Sequence, residues 1–251
     1  MKKVGSKLED VTFVRKEPEF LVLEKPSPIP TTRIHPEQSY LGEMLAQDGE
    51  IEEASRPVVP VDDGASGLVI YARTRAAAKS FDEIVAAGAL EVESAVIVTG
   101  FVSDDGEVDR RIHVDRRRGK VTIRDAGDPA ITSYRVERRI AGHTLLICTN
   151  TTHVEQQIRL HLASIGVPLA IDPEHGGGKS IWLSHFKPGY RSSTKHEERP
   201  LLARLSMHIT RVRFPGPSGE MIECESPWPK EFRATVNQLE RVAQRSDRRE
   251  S

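Results

Sequence analysis

Asp62 and Asp63 stand side by side in PVDDGASGLVIYAR, residues 60–73, directly before an apolar, β-branched run. Aspartate disfavours strands and Asp-Gly marks a turn, whereas GLVIYA has the length and branching of an interior strand. The pair is therefore expected on a loop at a strand mouth, where rigid structure often holds functional groups. Two carboxylates suggest acid–base work. Neighbours on an extended chain point to opposite sides, however, so these two are not expected to share a substrate as a glycosidase pair does.

Other groups with chemical potential are weaker. GGGKS at 176–180 resembles a phosphate-binding loop, but that loop needs a glycine where Pro173 stands. The 9 histidines show no HxxxH or HExxH spacing, so no metal site is expected. RRIHVDRRRGKVTIR, residues 110–124, clusters basic side chains around an Arg-Gly turn, which by itself reads as a solvated hairpin. Arg159, alone, reads as an exposed helix charge.

The elements that must position these groups follow from periodicity. FLVLEK is a short apolar strand stopped by Pro26, and YLGEMLAQ is a short helix. Thr74 caps a helix with Ala77, Phe81, Ile84 and Val85 on one face and Gly88 at its end. AVIVTGFV is a second buried strand, and ITSYRVERR and HTLLICTN pair as a hairpin around Ala141-Gly142. VEQQIRLHLASIG is a helix with Val154, Ile158, Leu162 and Ile165 on one face, closed by Gly166 and Pro168. Residues 176–204 read as a Gly-rich, polar inserted loop, MHITRVRF and MIECES as a late hairpin, and the C-terminal stretch as a helix dissolving into a charged tail. Strands and helices do not alternate, so the expected class is α+β with a mixed sheet.

Composition narrows the function classes. Lys+Arg 36 against Asp+Glu 37 gives a net charge of -1, so any nucleic-acid surface must be a local patch. Cys148 and Cys224 each lie among strand-like residues and read as buried thiols of a reducing cytoplasm. There is no apolar signal region and no run of membrane-spanning length, so a cytoplasmic protein away from membranes is expected.

Taken in chain order, FLVLEKPSPIP, VDDGASGLVIYAR, ITSYRV, EQQIRLHLASIGVPLAIDPEHGGG and MHITRVRFPGPSGE resemble the RluA-type family of RNA pseudouridine synthases. The resemblance spans roughly residues 18 to 232, leaving 1–17 as a lead-in and 233–251 as a C-terminal helix and tail. It implies a mostly antiparallel mixed sheet with flanking helices and a central cleft. It also implies an isomerase acting on uridine in rRNA or tRNA, with no metal or cofactor, working as a monomer without room for the small N-terminal RNA-binding domain of many members. The family's Arg-Leu-Asp is matched by Pro60-Val61-Asp62, its Thr-Ser-Gly by Ala65-Ser66-Gly67 and its Gln-Ile-Arg by Gln157-Ile158-Arg159. Asp62 is thereby the catalytic carboxylate, and Arg159 the guanidinium that keeps it ionised against burial. Ser66, Ser94 and Gln157 fall at substrate-binding positions, Arg116, Arg117 and Arg118 become an RNA-binding patch, and the target base must leave its stack.

Three positions depart from the pattern. The arginine before Leu-Asp, which helps displace the target base, is Pro60. The family tyrosine that stacks on the base is Ser94, and the Gly-Arg-Thr-His before the helix is His153-Val154-Glu155-Gln156. Two readings therefore stand: an active isomerase, and a non-catalytic relative that keeps the cleft to bind RNA.

Overall fold

The computed structural model describes residues 8–31, 38–53, 55–187, 189–191 and 197–250, with side chains as far as Arg245. Residues 1–7 of the expected lead-in, parts of the Gly-rich loop and the last tail residue lie outside the described residues. The chain begins with β1 (Thr12–Lys16), β2 (Phe20–Lys25) and α1 (Leu41–Gln47). Then come β3 (Ser66–Ala72), α2 (Arg75–Ala86), β4 (Glu91–Thr99) and β5 (Gly106–Asp109). A hairpin of β6 (Ile112–Asp115) and β7 (Lys120–Ile123) leads to β8 (Ile131–Ile140), β9 (His143–Asn150) and α3 (Gln157–Ser164). The chain closes with β10 (Met207–Pro215), β11 (Met221–Glu225) and α4 (Lys230–Glu250).

The main sheet runs β1-β2-β3-β10-β4-β9-β8-β5, with β11 paired to β10. Among its described pairings, only β3 with β10 is parallel. The α+β class with a mostly antiparallel sheet is therefore observed. Thr12–Lys16, expected in the lead-in, is instead the edge strand: Phe13 pairs with Leu23 of β2.

β3 is buried along its whole length because both faces of the sheet are covered. Leu68 and Ile70 join Phe20, Phe81 of α2 and Phe214, whose rings meet edge-on or tilted at 5.3–5.9 Å. Val69 and Tyr71 turn the other way, onto Leu41 and Leu45 of α1. Further along that face Phe232, Val236 and Leu239 of α4 cover Ala95 and Ile97 of β4. The C-terminal helix is thus core, not appendage. Thr74 caps α2 as expected, its Oγ1 accepting from the Ala77 N–H at 3.1 Å. α3 starts three residues later than the sequence pattern suggests, and Ile165 at its C-cap is exposed, because the turn from 151 to 156 holds Val154 outside the helix.

The parallel pair demands a glycine. Gly67 has φ +106, and a Cβ there would stand 2.1 Å from the Ile209 carbonyl oxygen. The close approach of β3 to β10 fixes where the preceding loop, with Asp62, leaves the sheet.

Candidate active site

That loop is tied down from below. Asp62 opens a turn in which its carbonyl accepts from the Ala65 N–H at 3.0 Å. Lys25, at the end of β2, is fully buried, and its Nζ donates to the carbonyls of Ile29 (2.8 Å), Asp63 (3.1 Å) and Ala65 (2.7 Å). Burial pulls this ammonium down to about 8, against the pull of Asp63 and Asp62. Thr31 stitches the other side, donating its hydroxyl to the Val61 carbonyl and its N–H to Asp63 Oδ1 at 3.3 Å. Burial raises the Asp63 carboxyl, which the Thr31 N–H partly offsets. The two aspartates part company, Asp63 facing Thr31 and Asp62 facing α3.

Arg159, in the first turn of α3, meets Asp62 there. Its Nη1 donates to Asp62 Oδ1 at 2.7 Å. The rest of the fork holds Asp172: Nε to Oδ2 at 2.8 Å and Nη2 to Oδ1 at 2.7 Å. Nη2 also reaches Glu174 Oε2 at 2.8 Å. Burial alone would lower the guanidinium pKa, but Asp172 and Asp62 together outweigh it and raise it, so Arg159 stays charged. Asp172 is completely buried. The bidentate pair with Asp172 therefore sets the plane of the guanidinium, and the remaining Nη1 fixes the Asp62 carboxylate in place. Gln156, just before α3, adopts φ 57, and its Oε1 accepts from His175 Nε2 at 2.9 Å, bracing the loop that carries Asp172 and Glu174. Asp172, Glu174 and His175 lie close enough to ligate an ion, but Arg159 already occupies both carboxylates with its own positive charge.

Asp62 and Arg159 line a cleft of about 780 Å³ together with Asp172, Glu174, Gln156 and Arg116. Beside it is a recess of about 50 Å³, which shares Pro60, Val61, Asp62, His153 and Gln156 with the cleft and reaches Ser94, Asn150 and Gln157. Ser94 is in mid-β4, fully buried, opposite Cys148 of β9 and Ile209 of β10. Gln157 is engaged throughout: its Nε2 donates to the Ile131 carbonyl, Thr132 Oγ1 and Thr152 Oγ1, and its Oε1 accepts from the Val154 N–H. Ser66 lines neither space. Its position on β3 turns it into the core, where its Oγ is 2.9 Å from His208 Nδ1. Arg116, Arg117 and Arg118 are exposed on the β6–β7 turn, where Asp115 Oδ1 accepts from the N–H groups of Arg117 and Arg118. Of the three, only Arg116 lines the cleft.

The sequence profile of the family described as RNA pseudouridylate synthase matches residues 19–164, which include Asp62, Ser94 and Arg159. The chain belongs to this family. Relatives include the ribosomal large subunit pseudouridine synthase D of Xanthomonas campestris pv. campestris, 28% identical over 228 residues, covering 87% of this chain and 66% of that protein. The synthase D of Neisseria meningitidis serogroup B is also 28% identical, over 76% of this chain and 50% of its own length. The chain thus spans half to two thirds of these two relatives. Among solved structures, human RNA pseudouridylate synthase domain containing 1 shares the fold with a TM-score of 0.64 at 19% identity, covering 89% of this chain and 86% of that one.

The pseudouridylate synthase profile stops short of Asp172, and sequence reasoning missed that residue too. Its signal was present: a lone carboxylate ends the apolar run VPLAI, a place where a buried, paired charge is the alternative to a turn. Lys25 was missed for the opposite reason, since a lysine before proline at a strand end resembles an ordinary solvated stop.

Proposed function

We propose that this protein is an RNA uridine isomerase, forming pseudouridine in rRNA or tRNA, with Asp62 as nucleophile. The observation that carries this reading is the 2.7 Å contact of Arg159 with Asp62 in a cleft of about 780 Å³, within a chain of the pseudouridylate synthase family. A cleft of that volume takes a flipped nucleotide. In the reaction the bond from ribose C1′ to base N1 breaks, a bond from C1′ to C5 forms, and the proton lost from C5 is balanced by one taken up at N1. Arg159 contributes by fixing the position of the Asp62 carboxylate, aiming it for attack on the sugar or the base. The exposed Arg116, Arg117 and Arg118 would meet phosphates beside the entering nucleotide. Among the described residues no helix is long and apolar enough to cross a membrane.

The test is pseudouridine mapping of rRNA and tRNA from cells with and without the gene, with complementation by wild type and by Asp62→Ala. At least one site should vanish on deletion, return with wild type and stay absent with Asp62→Ala. An unchanged map on deletion, or full restoration by Asp62→Ala, overturns the proposal.

A further inference from the structure

Two buried polar atoms in the recess beside Asp62 have no hydrogen-bond partner among the described residues: Ser94 Oγ and Asn150 Oδ1. Both residues are at least nine-tenths buried. A buried polar atom without a partner is costly, so two in one small space point to a ligand group that completes them. Asn150 of β9 is opposite Val92, and Ser94 is opposite Cys148, so the two are diagonal neighbours on one face of the sheet. Diagonal side chains stand roughly 7–8 Å apart, a span that the polar edge of one heterocycle can bridge. The recess, about 50 Å³, holds a few small groups and not a whole base, so an edge would enter while the ring stays in the cleft.

Which atom of the Asn150 amide faces the recess is fixed by a chain of protons. His161 Nε2 is 2.8 Å from the Arg110 carbonyl, which only accepts, so that nitrogen carries the hydrogen. Burial pushes the His161 pKa down, so the ring is neutral and its Nδ1 is bare. Thr132 Oγ1, 3.0 Å away, must spend its single proton on that Nδ1. The Thr132 oxygen can then only accept, and it accepts from Gln157 Nε2 at 3.2 Å and from Asn150 Nδ2 at 3.3 Å. Gln157 cannot be turned over, because its Oε1 is held by the Val154 N–H. The Asn150 amide is thereby locked with its NH₂ toward Thr132 and its carbonyl oxygen toward the recess.

The recess thus presents a fixed acceptor beside a hydroxyl that can donate or accept. Uracil offers the complementary edge, an N3–H donor between two carbonyl acceptors. Cytosine has a bare N3 at the same place and would set lone pair against lone pair. Resting on the isomerase reading of the cleft, we propose that Asn150 and Ser94 are the residues that select uracil: Asn150 Oδ1 accepts from N3–H, and the Ser94 hydroxyl donates to an adjacent base carbonyl. Serine at this position then does different work from an aromatic ring, reading an edge where the ring would stack on a face.

The test uses single-stranded RNA decamers of uridine and of cytidine, with affinities measured by titration at one fixed salt concentration, and does not depend on turnover. Wild type should favour oligouridylate by at least about tenfold, as expected when one buried polar group is left unpaired by the wrong base. Asn150→Leu should bring the two affinities within about threefold, chiefly by losing oligouridylate binding, and Ser94→Ala should reduce the preference by a smaller factor. If Asn150→Leu does not fold, the wild-type ratio and Ser94→Ala decide. A wild type that binds the two decamers alike, or neither, overturns the inference, as does a folded Asn150→Leu protein that keeps the full preference. Preference lost in Asn150→Leu without any pseudouridine formed by wild type would sustain the recess and remove the isomerase reading. Pseudouridine formed with the preference untouched by both substitutions would do the reverse.

Discussion

Replacing Asp172 with alanine strips Arg159 of the two contacts that set its plane, at 2.7 and 2.8 Å, while leaving Asp62 and Glu174 in place. The Asp172 side chain is 1% exposed and that of Arg159 11%, so solvent cannot take over the lost contacts. Glu174 is 56% exposed and offers little compensation. Breaking a buried ion pair from one side costs about 3–5 kcal/mol, because the remaining charge is left uncompensated. For a chain of this size the melting temperature should fall by roughly 6–20 °C. Isomerase turnover should also drop, since the released guanidinium can close both forks on Asp62 and draw it from its working position. Urea denaturation of wild type, Asp172→Ala, Arg159→Met and the double variant Asp172→Ala with Arg159→Met measures this directly. The double variant should lose less stability than the sum of its single counterparts, because it removes both charges together. A loss below about 1 kcal/mol in Asp172→Ala, or strict additivity, would show that Asp172 does not hold Arg159.

Two further outcomes are expected. Replacing Arg116, Arg117 and Arg118 by alanine should weaken oligouridylate binding and flatten its dependence on the logarithm of salt by up to about 0.7 per arginine; most of the effect should come from Arg116, which lines the cleft, and an unchanged slope would leave the turn merely solvated. Burial lowers the His208 pKa to about 4, so between that value and 6.5 the unfolded chain binds the extra proton and stability falls as pH drops, by about 3 kcal/mol in full, while above 6.5 the contribution is complete. His208→Gln should show a shallower acid loss than wild type in denaturation at pH 4.5 and 7, and equal slopes would place the acid sensitivity elsewhere.

How much of this was legible in the sequence depended on whether the signal was local. α2 could be read to its cap because Thr74, the apolar face and Gly88 all lie within one stretch. The β8–β9 hairpin was equally plain from two branched runs around Ala141-Gly142. Asp62 and Arg159 were paired only through resemblance, since nothing local connects residues 97 positions apart. Asp172 and Lys25 escaped because a buried charge looks like a surface charge until its partners are known. Asn150 escaped for a deeper reason: its role depends on a proton inventory through Thr132, His161 and Gln157 that no spacing encodes. Ser66 was placed against substrate by its motif, yet the strand's alternation turns it toward His208.

The position of β10 between β3 and β4 has a consequence for how the protein comes into being. Lys25 and the Asp62 loop belong to the β1-β2-β3 half of the sheet, whereas α3 with Arg159 follows the β4-β9-β8-β5 half. The strand that hydrogen-bonds the two halves together is emitted by the ribosome only after both, at residues 207–215. Until then β3 and β4 each carry a bare edge, and such edges are open to mispairing. His208 must find Ser66, 142 residues earlier, before the Gly67 contact can form. A contact of that separation is slow to close. Asp62 and Arg159 therefore meet late, so a nascent or truncated chain lacking β10 would hold both residues and yet have no site.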